Sequence, residues 1–178
     1  EIMFDGNIDE LTLTTNSQPA IMAESSAILE SIRSDNLIDF NSIKAVAGHS
    51  LGEYSALYAT NSISFSSSIQ LLEVRSKAMQ DSMPVGTGGM AAIMGKSMPE
   101  VEDLLALIND HGQIFIANDN ADGQIVVSGE MPVINYLCDN FKELGVKRAL
   151  KLPVSAPFHC ELIQPASKEL SKEINKHH

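Results

Sequence analysis

The sequence is poor in several residue types, and each scarcity narrows the class of protein. Its 178 residues include two cysteines, Cys138 and Cys160, and no tryptophan. Two cysteines form no disulfide framework and lack metal-ligand spacing, so we expect buried thiols in a reducing compartment and no metal site. No apolar run approaches the roughly 18 residues of a membrane helix, and the acidic first residues predict no signal peptide. We therefore expect a globular domain, or a core domain with a small insert, without membrane association.

Positive charge is scarce as well. The chain has 12 basic and 23 acidic side chains, which gives a formal net charge of −11. A chain of this charge repels a phosphate backbone, so nucleic acid is excluded as a partner. Four basic residues nevertheless fall within ten positions: Lys142, Lys147, Arg148 and Lys151. This basic cluster is a candidate surface for an anionic partner; the alternative is an ordinary solvated helix end and strand.

A G-x-S-x-G pattern occupies residues 48–52, with Ser50 at its centre. The apolar residues 43–47 predict a strand before it, and residues 53–59 predict a helix after it, which is the context of a nucleophile elbow. We expect a side chain at either Gly48 or Gly52 to crowd the turn. Ser50 would then lie at a helix N-terminus, which favours a developing oxyanion. The alternative is a chance Gly/Ser turn that opens a helix.

The remainder of the first 83 residues predicts two long helices. Residues 1–12 read as loop or ragged strand, and Asn16 is a candidate cap for a helix that runs to about Arg33. One face of that helix is apolar and is the predicted core face: Ile21, Ile28, Leu29 and Ile32. A second helix is expected over residues 66–83.

Residues 84–89 break the pattern and predict an internal boundary. Strands are predicted over residues 90–94, 114–118, 124–128 and 146–150, and helices over residues 97–108 and 132–144. This β-α-β-β-α-β order is typical of a split βαβ unit with the ferredoxin-like fold. A final helix is predicted over residues 161–175.

His159 is the candidate general base for Ser50, because a serine hydroxyl needs a neighbouring base. It lies in a loop with two prolines that follows the predicted insert. His49 adjoins Ser50 around a sharp turn and should point away, and His111 follows a helix. His177 and His178 end the chain. A structural, hydrogen-bonded histidine is the alternative role for His159.

Arg75 is the third candidate. It falls in the middle of an apolar stripe formed by Leu71, Leu72, Ala78 and Met79. A guanidinium on such a stripe is costly unless it meets an anion. The partner is either a buried Glu or Asp of the protein or a substrate carboxylate, and a snorkelling stem is a further alternative.

These residues resemble the malonyl-CoA:acyl carrier protein transacylases of fatty acid synthesis. The likeness covers nearly the whole chain, in the family's order. The segments that carry it are residues 10–20, the elbow at 48–57, the helix at 75–80, the strands at 88–95 and 118–129, and the histidine loop at 154–160.

The resemblance implies a fold and a domain division. We expect an α/β-hydrolase-like core with a parallel sheet, interrupted by a ferredoxin-like small subdomain. Residues 1–87 would be the first part of the large subdomain, 88–151 the small subdomain, and 152–178 the return to the large one. The family's opening glutamine loop and its segment after the catalytic histidine have no counterpart here, so we expect the chain to be incomplete at both ends.

The resemblance also implies residue roles. Ser50 would be the acylated nucleophile, His159 the base and later the acid, and Arg75 the ligand of the malonyl carboxylate. Four further residues would bind substrate: Met79, Leu51 through its backbone N–H, Phe158 and Asn118.

The implied activity is transfer of malonyl from CoA, through a malonyl-serine, to the phosphopantetheine thiol of acyl carrier protein. No cofactor is expected, and the implied location is the cytoplasm or an organelle interior. The basic cluster would face the acidic carrier. Two alternatives remain: a serine esterase with Asp122 or Asp139 as its acid, and a non-catalytic fragment that binds acyl carrier protein. An acyltransferase domain of a polyketide synthase is a close relative.

Overall fold

The computed structural model describes residues 2–176 and divides the chain into two compact units. One, here called the sheet unit, is Ala78–Lys168; the other, here called the serine unit, comprises the chain up to Lys77 and from Glu169 onward. The predicted division at 87/88 and 151/152 stays a prediction. His177 and His178 lie outside the described residues.

The serine unit is built from helices. They are α1 (Ile2–Asp5), α2 (Ile8–Thr12), α3 (Thr14–Ser34), α4 (Gly52–Ala59) and most of α5 (Phe65–Asp81), with a 3-10 turn at Phe40–Ser42. Its buried apolar cluster consists of Met22, Tyr54, Leu71 and Leu72.

The prediction of loop or ragged strand for residues 1–12 is wrong for the described part, which forms α1 and α2. Asn7 starts α2, because its side chain accepts a hydrogen bond from the backbone N–H of Asp9 at 2.9 Å. Helix α3 also begins earlier than predicted, since the Leu13 carbonyl already accepts bonds from the N–H groups of Asn16 and Ser17. The Asn16 side chain donates to the Glu10 carbonyl instead of capping α3.

The predicted core face of α3 is also wrong. Ile21 and Ile28 are exposed, and the buried residues are instead Thr14, Gln18, Met22 and Ser26. These four recur every fourth position and therefore lie along one side of the helix. Helix α3 thus buries a mainly polar stripe.

Residues 43–47 form no strand, contrary to the prediction. Ile43 has extended backbone angles, but a strand requires hydrogen-bonded neighbours, and no described residue forms a ladder with this segment. Ile43 and Val46 are correspondingly exposed.

The sheet unit carries the predicted β-α-β-β-α-β order. Its elements are β1 (Gly88–Met94), α6 (Met98–Ile108), β2 (Ile114–Ala121), β3 (Gln124–Glu130), α7 (Met131–Asp139) and β4 (Arg148–Lys151). The strands lie in the order β2-β3-β1-β4, and every pairing is antiparallel. The register places Ala91 opposite Val127 and Lys151.

Local chemistry explains the helix bounds of the sheet unit. A capping box between Ser97 and Glu100 starts α6. Helix α7 ends five residues before the predicted residue 144, at Asn140, whose backbone angles leave the helical range and whose N–H and side chain both donate to the Tyr136 carbonyl. The last predicted helix is a 3-10 turn, Glu161–Ile163, followed by α8 (Gln164–Ile174). No helix among residues 2–176 is long and apolar enough to cross a bilayer.

Candidate active site

Ser50 occupies a tight turn directly before α4. Its φ of +55° lies in the left-handed region, which is rare for a residue with a side chain. Hydrogen bonds close the turn from the Gly52 N–H to the His49 carbonyl at 2.9 Å and from the Glu53 N–H to the Ser50 carbonyl at 3.1 Å. The structure therefore supplies the strained turn and the helix start that the motif predicts.

The two glycines of the motif are not equivalent. A Cβ atom on Gly48 would lie 1.9 Å from the Gly52 carbonyl oxygen, so this position admits no side chain without movement of the backbone. A Cβ atom on Gly52 would meet nothing within 4 Å. The expectation of crowding is thus correct for Gly48 and wrong for Gly52, whose α-carbon faces open space at the start of α4.

Arg75 contacts Ser50 within the serine unit. Its Nη2 donates to the Ser50 Oγ at 3.1 Å, and its Nη1 donates to the Gln18 Oε1. Helix α5 places the guanidinium here because its neighbours Leu71 and Leu72 are buried in the same cluster. The apolar stripe with a central arginine, predicted from the sequence, is therefore present.

The charge of Arg75 is partly buried and has no paired carboxylate among residues 2–176. Burial lowers the pKa of Arg75, and the nearby Tyr54 and Glu53 partly offset this effect. Its hydrogen bonds go to the neutral oxygens of Gln18 and Ser50. No ion pair joins Arg75 to a Glu or Asp among residues 2–176, and a guanidinium in this position is suited to an anionic ligand.

Gln18 contacts Arg75, and this role is not predicted from the sequence. It was read only as part of a helix start, whereas the structure buries it on α3 against the guanidinium of Arg75. A usable signal was present, because Thr14, Gln18 and Ser26 share one side of a helix with Met22. Polar residues on a buried side of a helix indicate a polar partner from another element.

Leu51 is the N-cap residue of α4, directly after Ser50. Its carbonyl accepts a bond from the Tyr54 N–H at 3.0 Å, and its side chain packs against the cluster of the serine unit. The backbone at Leu51 is thus fixed at the start of a helix, where N–H groups favour an anion.

His159 lies in a half-buried loop of the sheet unit and also has a left-handed φ, of +60°. Ser128 on β3 is fully buried, and its hydroxyl donates to the carbonyl of Phe158, the residue before His159. Pro157 packs against β1, where a Cβ atom on Gly88 would lie 2.6 Å from it. The sheet therefore holds the backbone of this loop in a strained conformation.

The other predicted substrate residues belong to the sheet unit. Met79 is buried in a small cluster with Ile163 and Ala166, and Phe158 packs against that cluster. Asn118 lies on β2 at an irregularity in the pairing with β3. The structure thus brings Met79 and Phe158 together, and it places Asn118 opposite Val126, a residue whose cluster Phe158 also contacts.

The remaining candidate residues are the basic cluster, the two acids and the two cysteines. The four basic residues at 142–151 are exposed, as are Asp122 and Asp139, the two acids proposed for an esterase. Cys138 and Cys160 are free thiols, and burial raises the pKa of both. Within residues 2–176, no group of three His, Cys, Asp or Glu side chains is arranged to hold a metal ion.

Comparison with known proteins shows similarity to acyl transferases. The family model described as "Acyl transferase domain" matches residues 1–178. The malonyl CoA-acyl carrier protein transacylase of Bacillus subtilis (strain 168) is 39% identical over 176 residues, which is 98% of this chain and 54% of that protein. The chain therefore spans about half the length of the curated relatives it matches.

The solved structures that the chain resembles include malonyltransferases of the same kind. The acyl-carrier-protein-S-malonyltransferase of Bartonella henselae is 43% identical with a TM-score of 0.91, covering 99% of this chain and 56% of that one. A malonyl-transacylase in complex with its type II PKS acyl-carrier protein is 36% identical with a TM-score of 0.89, covering 98% and 55%. The mixed α/β arrangement with a small antiparallel sheet thus matches the fold of these enzymes.

Proposed function

Since the chain belongs to the acyl transferase domain family, we propose that it transfers malonyl groups from malonyl-CoA to acyl carrier protein. Two findings support malonyl-CoA and acyl carrier protein as the partners. The curated relatives are malonyl CoA-acyl carrier protein transacylases, and one structural neighbour is a complex of such an enzyme with its carrier.

One observation carries the proposal: a partly buried guanidinium lies on the hydroxyl of the elbow serine. The bond from Arg75 to Ser50 places a positive charge beside the atom that would carry the acyl group. A malonyl group differs from an acetyl group by its free carboxylate. Burying that carboxylate is unfavourable unless a cation meets it, so Arg75 accounts for selection of malonyl.

The proposed reaction has two half-reactions. The Ser50 oxygen attacks the thioester carbonyl, His159 takes the hydroxyl proton, the C–S bond breaks, and CoA leaves as a thiol with that proton. The thiol of the carrier's phosphopantetheine then attacks the malonyl-serine, and its proton passes through His159 back to Ser50. The Leu51 N–H would donate to the oxyanion of each tetrahedral intermediate. The role of His159 rests on the likeness of its loop to that of the family.

Three residues of the sheet unit complete the proposal. Met79 and Phe158 would line the acyl pocket, which their shared cluster supports. Asn118 would contact the substrate from β2. This chemistry needs no cofactor, because the serine, the histidine and the two thiols perform every step.

The proposal extends to the fold and the location. We assign the serine unit to an α/β-hydrolase-like core with a parallel sheet, in which residues 43–47 would be the strand before the elbow. Their extended backbone and the left-handed Ser50 support this assignment. The domain division at 87/88 and 151/152 remains part of the proposal, as does a cytoplasmic location.

Intact-mass spectrometry after brief incubation with malonyl-CoA or acetyl-CoA tests the proposal. We expect a malonyl adduct that is absent in Ser50→Ala and strongly reduced in His159→Ala. Arg75→Met should slow malonyl labelling by about 100-fold relative to acetyl labelling, as expected for loss of charge-assisted hydrogen bonds.

Lys77→Met is the matched control, because Lys77 is exposed on the same helix and its replacement removes the same charge. It should leave the malonyl-to-acetyl ratio unchanged. Equal labelling by both thioesters in the unmodified protein would contradict the proposal, as would efficient hydrolysis of neutral esters without malonyl transfer.

A further inference from the structure

Gln18 is a buried side chain without a role in the reaction described above. It is 5% exposed, and its Oε1 accepts a hydrogen bond from the Nη1 of Arg75. The other terminal nitrogen of the same guanidinium donates to Ser50 at 3.1 Å. Gln18 and Ser50 therefore hold Arg75 at both of its terminal nitrogens.

Thr14 fixes the orientation of the Gln18 amide. The Gln18 Nε2 donates to the Thr14 Oγ1 at 2.7 Å, one helical turn away, and Thr14 is itself 5% exposed. Because the amide nitrogen is directed at Thr14, the amide oxygen is directed at Arg75. The acceptor that Arg75 meets is thus set by an ordered, buried chain from Thr14 through Gln18.

The neutrality of this acceptor is the significant property. A glutamate at position 18 would have nearly the same shape, but it would form an ion pair with Arg75 in a partly buried site. A substrate carboxylate would then have to compete with an internal carboxylate for the same cation. Glutamine gives the guanidinium a hydrogen bond and leaves its charge uncompensated.

The geometry also leaves donors for a ligand. A guanidinium has five N–H groups. Gln18 and Ser50 each accept one of them, so three of the five are not used by acceptors among residues 2–176. A carboxylate binds a guanidinium through two parallel bonds, and the remaining donors are sufficient for such a fork.

We infer that Gln18 is a specificity-determining positioning residue, which orients Arg75 without neutralising it and so keeps the cation available for a substrate carboxylate. The inference rests on the proposed function, because it assigns the discrimination between malonyl and acetyl donors to the pair of Gln18 and Arg75. Gln18 acts through Arg75 and touches no substrate atom in this scheme.

Binding measurements in a His159→Ala background test the inference separately from acyl transfer, because this background keeps the hydrogen bond from Arg75 to Ser50. The affinities for malonyl-CoA and acetyl-CoA are measured by calorimetry, alone and combined with Gln18→Glu. The malonyl preference should fall by about tenfold or more in Gln18→Glu, as expected for a charge-assisted contact. Gln70→Glu is the matched control, since it adds the same charge at an exposed position on α5 and should retain the preference.

Three results would overturn the inference: a preference retained in Gln18→Glu, an equal loss of affinity for both donors, and the absence of any preference in the His159→Ala parent. If Gln18→Glu does not fold, Gln18→Met replaces it, and its preference should fall by about fivefold, the effect of one lost hydrogen bond to a charged group. A retained preference in Gln18→Met overturns the inference equally. The proposed function is decided by the malonyl adduct on unmodified Ser50, so the inference can fail while the proposed function stands, and the two failures are distinguishable.

Discussion

The sheet unit and the serine unit differ in how each buries its own apolar residues. The sheet unit packs α6 and α7 on its antiparallel sheet around one continuous apolar cluster, which includes Ile93, Val127 and Ile134. The cluster of the serine unit is much smaller, and several of its large apolar side chains are exposed, among them Phe4 at 85% and Ile28 at 55%.

The reason for the difference lies in what each unit buries. In the sheet unit, α6 and α7 cover the face of the sheet that carries Ile93 and Val127, so apolar side chains of both layers meet in one core. In the serine unit, α3 directs Thr14, Gln18 and Ser26 inward, and α5 directs Arg75 inward. The sheet unit is thus organised around an apolar core, whereas the serine unit is organised around the charged site at Arg75.

A pair of isoleucine substitutions tests this comparison with the largest expected effect. Ile134→Ala removes a fully buried side chain from the sheet unit and should cost about 2–5 kcal/mol of unfolding free energy. Ile28→Ala in the serine unit should change it by less than about 0.5 kcal/mol, because Ile28 is exposed on a helix. Urea unfolding measures both. Similar costs for the two variants would break the comparison.

Two glycine substitutions test whether Gly48 and Gly52 differ in their importance for the turn at Ser50. Gly48→Ala forces the elbow backbone to move and should reduce malonyl labelling of Ser50 by about 100-fold, the effect of a displacement near 1 Å. Gly52→Ala meets open space and should raise stability by about 0.5–1 kcal/mol with labelling retained. Labelling kinetics and thermal melting report the two effects. Equal sensitivity at both positions would contradict the geometry.

Ser128 provides the corresponding test in the sheet unit. Ser128→Ala leaves the Phe158 carbonyl without this donor and should slow labelling of Ser50 by about tenfold through displacement of His159. The control is Ser155→Ala in the same loop, because the buried Ser155 hydroxyl has no hydrogen-bond partner among residues 2–176. The control should be neutral. A loss in Ser155→Ala equal to that in Ser128→Ala would show that the loop responds to any substitution.

The basic cluster is expected to give the smallest effect. Arg148→Glu should slow transfer to an acidic carrier protein by about threefold at low salt, and the difference should vanish at high salt because exposed charges are screened. Lys168→Glu makes the same charge change at an exposed position on α8. Stopped-flow transfer assays at two ionic strengths compare them. An equal effect in both variants would exclude a specific role for the cluster.

Much of the sheet unit was predictable from the sequence. The strand and helix patterns of residues 90–150 are local signals, and they predicted the correct element order, although β2 runs to Ala121 and not to the predicted residue 118. The bounds were less accurate, since α7 ends at Asp139 and not at the predicted residue 144.

The serine unit was predicted less completely, and α3 shows why. Ile21 and Ile28 on its most apolar face are exposed, whereas Gln18 on its buried side meets Arg75. Periodicity alone favours the apolar face, because it contains no information about a cation on another helix. The strand prediction for residues 43–47 was wrong for a related reason, since a strand depends on neighbouring strands that its own sequence does not specify.

The sequence by itself determined the elbow, the arginine on an apolar stripe and the order of the sheet unit, because each depends on residues close together in the chain. Only the tertiary structure decided which oxygen atoms meet Arg75, since Gln18 lies 57 positions away and Ser50 lies 25. It also decided that Gly48 is essential to the turn and that Gly52 is not. Those distinctions depend on distances between atoms that the folded backbone alone brings together.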